Sequence, residues 1–198
     1  MLSVILFPLV GMVSSCSEES TEEDEYANWQ ERNEEMTDVW ASQALNGWYK
    51  KIKCYTKDHA SEGANSDYIY VEVLEEGNGT ESPLFTDTIR VAYRGRLIPT
   101  TSYPEGPIFD QSYEGDFSWR TADVADFCCG NLVNGFSTAL MHMHMGDRWR
   151  VHVPYQLGYG TSSTSSIKGY SNLIFDVALV DFWHPGEYRG DFKARRQE

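Results

Sequence analysis

Four short stretches of the chain are rich in β-branched and aromatic side chains. These stretches are residues 68–74, 88–97, 149–153 and 172–182. Such a pattern is typical of β-strands. Only one short stretch between them, residues 135–141, is predicted to be helical. Several antiparallel strands with one short helix predict an α+β domain in which a curved sheet wraps around the helix.

A helical pattern precedes these strands. Apolar residues from Trp29 to Trp48 recur at approximately helical spacing with charged residues between them, and residues 28–53 contain no proline. We therefore predict a helical arm that ends or kinks at Asn46-Gly47. Two roles are open for its aromatic face, which either packs on the main domain or joins two copies of the chain. The oligomeric state is not predicted.

The first residues resemble a signal peptide. Residues 2–13 form an apolar run that is too short to span a bilayer and ends in small residues. The run stops at Val13-Ser14-Ser15-Cys16, which resembles a bacterial lipobox, and this resemblance implies that Cys16 carries the lipid and becomes the new N-terminus. Two acyl signals on one residue are enough for stable membrane anchoring. The alternative is a buried apolar segment that contains an ordinary cysteine.

An acidic run, residues 17–25, follows directly. It is typical of a solvated spacer, and it also resembles the sorting signal that follows the lipidated cysteine in surface-exposed lipoproteins of the Bacteroides group of bacteria. The expected location is therefore the bacterial cell envelope, with a lipid anchor in the outer membrane and exposure at the cell surface. The predicted segments of the chain are a signal peptide (1–16), an acidic tether (17–27), the helical arm (28–60), the β-rich domain (61–185) and a polar tail (186–198).

The net charge of the chain is −14 and its sequence pI is about 4.7. Nucleic acid is excluded as a partner because phosphate binding requires a basic surface. With Cys16 lipidated, the remaining cysteines are Cys54, Cys128 and Cys129, and the sequence has no CxxC pair. Adjacent cysteines rarely bridge each other, so we predict no disulfide framework and place Cys128 and Cys129 together on a strand. Neither a zinc site nor a cofactor is indicated.

Six motifs of the domain follow one another in the order found in FKBP-type peptidyl-prolyl cis-trans isomerases. The six segments are 91–97 (VAYRGRL), 108–112 (IFDQS), 130–136 (GNLVNGF), 143–148 (MHMGDR), 153–160 (VPYQLGYG) and 173–179 (LIFDVAL). The domain thus resembles this family. The resemblance implies an FKBP-like fold, with a curved antiparallel sheet on one short helix, and isomerisation of X-Pro peptide bonds in proline-containing polypeptide segments.

The resemblance also implies a substrate pocket, with Phe136 as its floor under the proline ring. Two hydrogen-bond donors would face substrate carbonyls, namely the backbone N–H of Val133 and the hydroxyl of Tyr159. Asp110 would lie beside the twisting carbonyl in an electrostatic or orienting role. The alternatives are ordinary core packing for the apolar residues and an ion pair with Arg120 for Asp110. The implied catalytic residues are Tyr93, Phe109, Asp110, Val133, Phe136, Tyr159 and Phe175, with Leu132 as an additional substrate-binding residue.

The sequence departs from the family pattern in two loops. The stretch after Asp110 is longer than in minimal members, and the family's second pocket phenylalanine falls near Ala125. We expect Phe117 or Trp119 to fill that space and contact the substrate; otherwise the pocket is open on one side. In the serine-rich and threonine-rich loop further on, Ile167 is the one apolar candidate to flank the substrate.

The sequence is compatible with three functions. The first is an enzyme that accelerates X-Pro rotation in envelope or surface proteins during folding. The second is a catalytically weak lipoprotein of the same fold that binds unfolded or proline-containing segments as a chaperone. The third is a copper-binding lipoprotein, because the thioethers and imidazoles of residues 141–145 (MHMHM) are soft ligands suited to copper. Met143 falls on a core methionine of the family motif, so we predict no metal.

Overall fold

The computed structural model describes residues 25–190. The predicted signal peptide, Cys16 and the acidic run before Glu25 lie outside the described residues, as do residues 191–198. The helices and strands of the described part are α1 (Trp29–Leu45), β1 (Lys50–Lys53), β2 (Tyr68–Glu75), β3 (Thr88–Arg96), β4 (Ile108–Gln111), β5 (Ala125–Cys128), α2 (Asn134–Leu140), β6 (Arg148–Val153) and β7 (Leu173–Trp183).

These strands form one antiparallel 7-stranded sheet in the order β1-β2-β6-β7-β3-β4. The seventh strand, β5, stands outside this order and pairs with the first half of β3. The second half of β3 pairs with β4. The α+β prediction of an antiparallel sheet with one short helix and an N-terminal helix is confirmed. The sequence predicted neither β1 nor β4, and of β5 it placed only Cys128 on a strand, because each of these strands has only 4 residues.

The first strand replaces part of the expected helical arm. Helix α1 ends at Leu45, and Gly47 has a φ of +80°, a left-handed conformation that glycine adopts without strain. The chain reverses there, and Lys50–Lys53 pairs with the start of β2 as the edge of the sheet. The predicted break at Asn46-Gly47 is therefore present, and the chain continues from it as a strand.

Helix α2 lies against one face of the sheet, which we call the inner face. Its approach depends on Gly135, because a Cβ atom there would lie 2.3 Å from Val153 Cγ1 and 3.3 Å from Ile69 Cγ2. Only glycine permits packing this close. Val151 and Val153 point to the same face of β6 and are fully buried. The main core therefore fills the space between α2 and the sheet.

Helix α1 covers part of the opposite, outer face. Tyr70 and His152 are paired across β2 and β6 and alternate with the inner-face residues. The ring of Trp40 lies 4.9 Å from the imidazole of His152 and 6.5 Å from the ring of Tyr70. Burial lowers the pKa of His152 to about 3, which keeps its ring neutral. Of the two roles expected for the aromatic face of this helix, the structure shows packing on the main domain.

A buried polar network fixes α1 to the loop between β6 and β7. Asn33 is fully buried, and its Oδ1 accepts a hydrogen bond of 2.7 Å from the backbone N–H of Asn172. The indole N–H of Trp29 donates to Ser171 Oγ at 2.8 Å. Asn172 in turn accepts from the backbone N–H of Tyr155 at 2.8 Å. The helix is thus an integral part of the domain and holds the loop that carries residues 155–172.

The long stretch after β4 also packs on the outer face. Tyr113 is buried in a small cluster with Ala92 and Ala178, and Phe117 packs against that cluster. The guanidinium of Arg148 lies 4.4 Å from the centre of the Phe117 ring. These residues cover the sheet at the end that α1 leaves open.

The cysteines of the described part are unpaired. Cys54, Cys128 and Cys129 are free thiols. Cys128 ends β5, but Cys129 begins a short 3-10 helix, so the two do not share a strand as predicted. Cys129 is fully buried, and burial raises the pKa of its thiol to about 12. A buried protonated thiol of this kind is unreactive.

One ion pair ties the segment after β7 to the loop before β3. The Nδ1 atom of His184 lies 2.8 Å from Oδ1 of Asp87, whose side chain is fully buried. The hydrogen bond to this carboxylate raises the pKa of His184 above its ordinary value of 6.5. Because the pKa is raised on folding, the contribution of the pair to stability is complete below about pH 6.5 and is lost as pH rises through the folded-state pKa.

We therefore expect the stability advantage of the wild type over His184→Ala to shrink as pH is raised from about 6 to about 9. Urea unfolding of both proteins across this range measures the two free energies of unfolding. A difference that stays constant with pH would show that protonation of His184 is not coupled to folding.

Candidate functional site

A cavity of about 360 Å³ opens on the inner face, beside the start of α2. Its lining comes from four strands, the helix and the segments that connect them. Most of the lining side chains are aromatic or aliphatic, and none is basic. The lining residues are Tyr93, Phe109, Asp110, Phe127, Asn131, Leu132, Val133, Phe136, Tyr159 and Phe175.

Aromatic rings form the bottom of this cavity. Phe136 is only 3% exposed and stacks on Phe175, with ring centroids 4.2 Å apart and planes 10° apart. Phe109 meets Phe175 edge to face at 5.6 Å. Helix α2 begins immediately after Val133, whose backbone is extended, and this start places Phe136 in the first turn, against the sheet. Stacked and edge-to-face pairs stabilise one another beyond the area that they bury.

One pair of polar side chains lies among these rings. The hydroxyl of Tyr93 donates a hydrogen bond of 2.7 Å to Asp110 Oδ2, and the backbone N–H of Gln111 donates to Oδ1 at 2.9 Å. Burial and the bond to the carboxylate raise the pKa of Tyr93, which therefore stays protonated. Within residues 25–190, Asp110 forms no ion pair with Arg120, so that alternative is not observed.

Two further groups at the cavity can donate hydrogen bonds to a ligand. The backbone N–H of Val133 has no hydrogen-bond partner in the described part of the chain. Tyr159 is 43% exposed, so its hydroxyl is accessible to a ligand. Its segment is held in place because the N–H of Gly160 donates to Tyr155 O at 2.8 Å.

The structure brings together most of the side chains that the sequence assigned to a pocket, and separates two from it. Trp119 lies away from the cavity, where its indole N–H donates to Glu75 Oε2 at 2.7 Å and its ring meets Phe117. Ile167 is 4% exposed and belongs to the buried core. Neither residue is among those that line the cavity.

Phe127 is one of two lining residues that sequence reasoning missed. Its ring meets that of Tyr93 edge to face at 5.6 Å and closes the side on which a gap was expected near Ala125. Residues two apart on a strand face the same way, so Phe127 shares its face of β5 with Ala125. Recognition of the short strand β5 would have identified it. Asn131 also lines the cavity; it lies in the motif of residues 130–136, but it was not assigned to the pocket.

A glycine makes room for one wall of the cavity. A Cβ atom at Gly95 would lie 2.4 Å from Cζ of Phe109, which is closer than side chains tolerate. We expect Gly95→Ala to displace the Phe109 ring and to lower the free energy of unfolding by about 1–3 kcal/mol, the usual cost of overpacking. Urea unfolding measures the loss. Gly190→Ala is the control, because nothing lies within 4 Å of its Cβ position; equal stability of the two variants would contradict the expectation.

Two side chains of residues 141–145 already have partners within the protein. Met143 is fully buried in the core, and His142 Nδ1 lies 2.8 Å from the carbonyl oxygen of Thr138. Across residues 25–190, no group of three or more potential ligands among His, Cys, Asp and Glu side chains could hold a metal ion. In the same range, none of the helices combines the length and the apolar character needed to span a membrane.

Comparison with known proteins extends these observations. The family model described as FKBP-type peptidyl-prolyl cis-trans isomerase matches residues 79–180. The chain is 34% identical to the macrophage infectivity potentiator of Trypanosoma cruzi, with 59% of the chain and 54% of the relative covered. It is 30% identical to the FKBP-type 22 kDa peptidyl-prolyl cis-trans isomerase of Escherichia coli K12, with 66% and 58% covered. The chain thus spans little more than half the length of these relatives.

The fold has counterparts among solved structures. The crystal structure of a peptidyl-prolyl cis-trans isomerase from Pseudomonas syringae superposes with a TM-score of 0.55, and the match covers 77% of this chain and 95% of that one. The sequence identity is 22%, so this likeness establishes the fold alone. Taken with the family model, which spans the six motifs and every residue that lines the cavity, it leads to one conclusion: the chain belongs to the family of FKBP-type peptidyl-prolyl cis-trans isomerases.

Proposed function

We propose that this protein accelerates the cis-trans rotation of X-Pro bonds in polypeptide substrates. The observation that carries the proposal is the apolar cavity, which has Phe136 and Phe175 stacked at its bottom. The backbone N–H of Val133 and the hydroxyl of Tyr159 are its hydrogen-bond donors. Its volume of about 360 Å³ is in the range of small-ligand sites. Membership of the family and the activity for which the Escherichia coli relative is named support the same reaction.

The physical basis is the difference in solvation between the planar and the twisted amide. Rotation breaks amide resonance and faces a barrier of about 18–20 kcal/mol. The planar amide is the more charge-separated state and loses more when water is removed. A dry aromatic site therefore favours the twisted state relative to the planar one, provided that the carbonyl keeps a hydrogen-bond donor. The reaction requires no nucleophile and no metal.

Each group at the cavity has a role in this account. Phe136 supports the proline ring, while Tyr93, Phe109 and Phe175 enclose it. The N–H of Val133 and the hydroxyl of Tyr159 donate to substrate carbonyls on either side of the proline. Asp110 acts through charge and orientation, because its Oδ2 already accepts the hydroxyl of Tyr93. The full set of proposed contacts, including Leu132 and Phe127, lines the cavity.

The proposed substrates are proline-containing segments of envelope or surface proteins during folding. We propose that the protein reaches them from a lipid anchor at Cys16, in the manner of Bacteroides-group lipoproteins, at the outer membrane and facing the cell surface. Support comes from the lipobox-like VSSC sequence and the acidic run after it. Uncatalysed X-Pro isomerisation takes tens to hundreds of seconds, which is slow enough to limit folding.

The test of this function is the refolding of a protein whose slow phase is X-Pro isomerisation. Catalytic amounts of the protein, in a soluble form that begins at residue 17, are expected to speed that slow phase in proportion to their concentration. If the protein is instead a chaperone that only binds unfolded segments, stoichiometric amounts will leave the slow phase unchanged or retard it. That second outcome would contradict the proposed catalysis.

The lipid anchor is tested separately. Cells that produce the full chain are labelled with a palmitate analogue, and the envelope is fractionated. The wild type is expected to carry label and to fractionate with the outer membrane, whereas Cys16→Ser should carry none. Label that persists in Cys16→Ser, or an unlabelled wild type, would contradict the proposed anchor.

A further inference from the structure

Three exposed apolar side chains lie beside the cavity and have no role in the proposed catalysis. Tyr55 is 36% exposed, Phe85 is 43% exposed and Leu84 is 57% exposed. The rings of Tyr55 and Phe85 are in contact, with centroids 5.3 Å apart. We call these three residues the rim patch.

The rim patch adjoins the segment that forms one edge of the cavity. A Cβ atom at Gly130 would lie 2.6 Å from the Phe85 ring, and the next residue, Asn131, lines the cavity. On the other side, the hydroxyl of Tyr55 donates to Asn134 Oδ1 at 3.1 Å, and Asn134 directly follows Val133. Asn131 and Asn134 are both exposed. A continuous accessible surface therefore runs from the cavity across two asparagine amides to the rim patch.

The rim patch is also held in a fixed position. The buried carboxylate of Asp87 accepts a hydrogen bond of 2.8 Å from the backbone N–H of Leu84. The backbone carbonyl of Asp87 accepts one of 2.9 Å from the N–H of Cys129, next to Gly130. The loop of the rim patch and the edge of the cavity are thus tied together. Exposed apolar groups that are already ordered lose little conformational entropy when a ligand covers them.

We propose that the rim patch is a subsite for an apolar side chain of the same polypeptide whose proline occupies the cavity. This inference rests on the proposed isomerase function and adds a feature of the preferred substrates, namely a leucine-like or aromatic residue a few residues away from the proline. Three side chains are too few for a protein-protein interface, which takes about 800 Å² from each partner. They suffice for one or two side chains of an extended segment, which advances about 3.3–3.6 Å per residue.

The asparagine amides between the two sites fit the same occupant. An amide side chain offers both donors and an acceptor, which is what an extended peptide backbone needs on its way to the rim patch. The apolar residue then gives affinity and the backbone contacts give direction. Unfolded segments expose such apolar residues, whereas folded proteins mostly bury them. The rim patch would thereby favour unfolded chains over native ones.

The test compares a proline tetrapeptide with peptides that add a leucine a few residues before or after the proline. For the wild type, one of the two extended peptides is expected to show about a three- to tenfold higher kcat/KM than the tetrapeptide, through a lower KM. In Leu84→Ser and Phe85→Ser this gain should disappear while turnover of the tetrapeptide stays unchanged. Trp48→Ser, which alters a side chain that is 74% exposed on another part of the chain, is the matched control and should keep the gain.

Several outcomes would overturn the inference. Equal kcat/KM for all peptides with the wild type would contradict the subsite. A higher kcat/KM for the leucine-extended peptide that survives in both rim-patch variants would contradict it as well. A loss of turnover for every peptide in the variants would indicate a structural role instead. If the wild type does not turn over the tetrapeptide, the proposed catalysis fails, and the subsite is tested by binding instead. The fluorescence anisotropy of a labelled leucine-extended peptide measures this binding. We expect weaker binding in Leu84→Ser, and unchanged binding would contradict the subsite.

Discussion

Phe136→Ala is expected to lower kcat/KM for X-Pro isomerisation by about 10- to 100-fold, because it removes the base of the cavity. The ring is buried and stacked 4.2 Å from Phe175, so its loss opens space for water beneath the substrate. Burial against a side chain of this size is worth about 1.5–3 kcal/mol, and each 1.36 kcal/mol corresponds to a factor of ten in rate. A coupled assay with a short X-Pro peptide measures the change.

The same substitution is also expected to lower the free energy of unfolding by about 3–5 kcal/mol, as for other large-to-small changes in cores. Phe136→Leu therefore accompanies it, because a volume closer to the original keeps more of the packing. Phe117→Ala is the matched control, since that ring packs on the outer face of the sheet. We expect an intermediate activity for Phe136→Leu and full activity for Phe117→Ala. A folded Phe136→Ala protein with wild-type activity would contradict the assigned role.

Asn33→Ala is expected to lower the free energy of unfolding by about 1–3 kcal/mol, although the substitution removes no charge and no large apolar group. Asn33 accepts the backbone N–H of Asn172 in a site where both residues are fully buried. After the substitution that N–H has neither a protein partner nor water, and a buried unpaired donor carries this penalty. Equilibrium urea unfolding, with an unchanged m-value, measures the difference.

Glu35→Ala is the control for this prediction because Glu35 lies on the exposed side of the same helix. We expect a change within about 0.5 kcal/mol there. The loop anchored by Asn172 also carries Tyr159, so Asn33→Ala is expected to raise the KM for an X-Pro peptide more than it lowers kcat. Equal stabilities of the Asn33→Ala and Glu35→Ala proteins would show that the polar contact between α1 and the loop does not hold the domain together.

The long strands could be predicted because each carries a run of β-branched and aromatic side chains, which strands favour. Residues 149–153 of the sequence pattern correspond to β6, Arg148–Val153, and residues 88–97 correspond to β3, Thr88–Arg96. The short edge strand β1, with the sequence KKIK, has no such pattern. It becomes a strand because Gly47 reverses the chain and β2 offers an unpaired edge. That information is tertiary and does not exist in a local window of sequence.

The same distinction between local sequence pattern and tertiary contacts applies to the candidate site. The motifs around Tyr93, Phe136 and Phe175 gave the cavity residues because each motif lies on a regular element with a fixed direction. Trp119 was misplaced because its position depends on a hydrogen bond to Glu75, far away in sequence. The rim patch could not be predicted either, since its members are brought together only by the contact of Phe85 with Gly130 and the Tyr55–Phe85 ring pair.

The most direct test of the central claim is the cis-to-trans rate of a short X-Pro peptide that carries no other binding feature. With the soluble chain from residue 17, we expect the rate to rise linearly with enzyme concentration and the acceleration to fall sharply in Phe136→Ala. A well-folded wild type that binds the peptide and leaves its isomerisation rate unchanged would contradict the account. The cavity would then be a binding site for proline-containing segments and not a catalytic one.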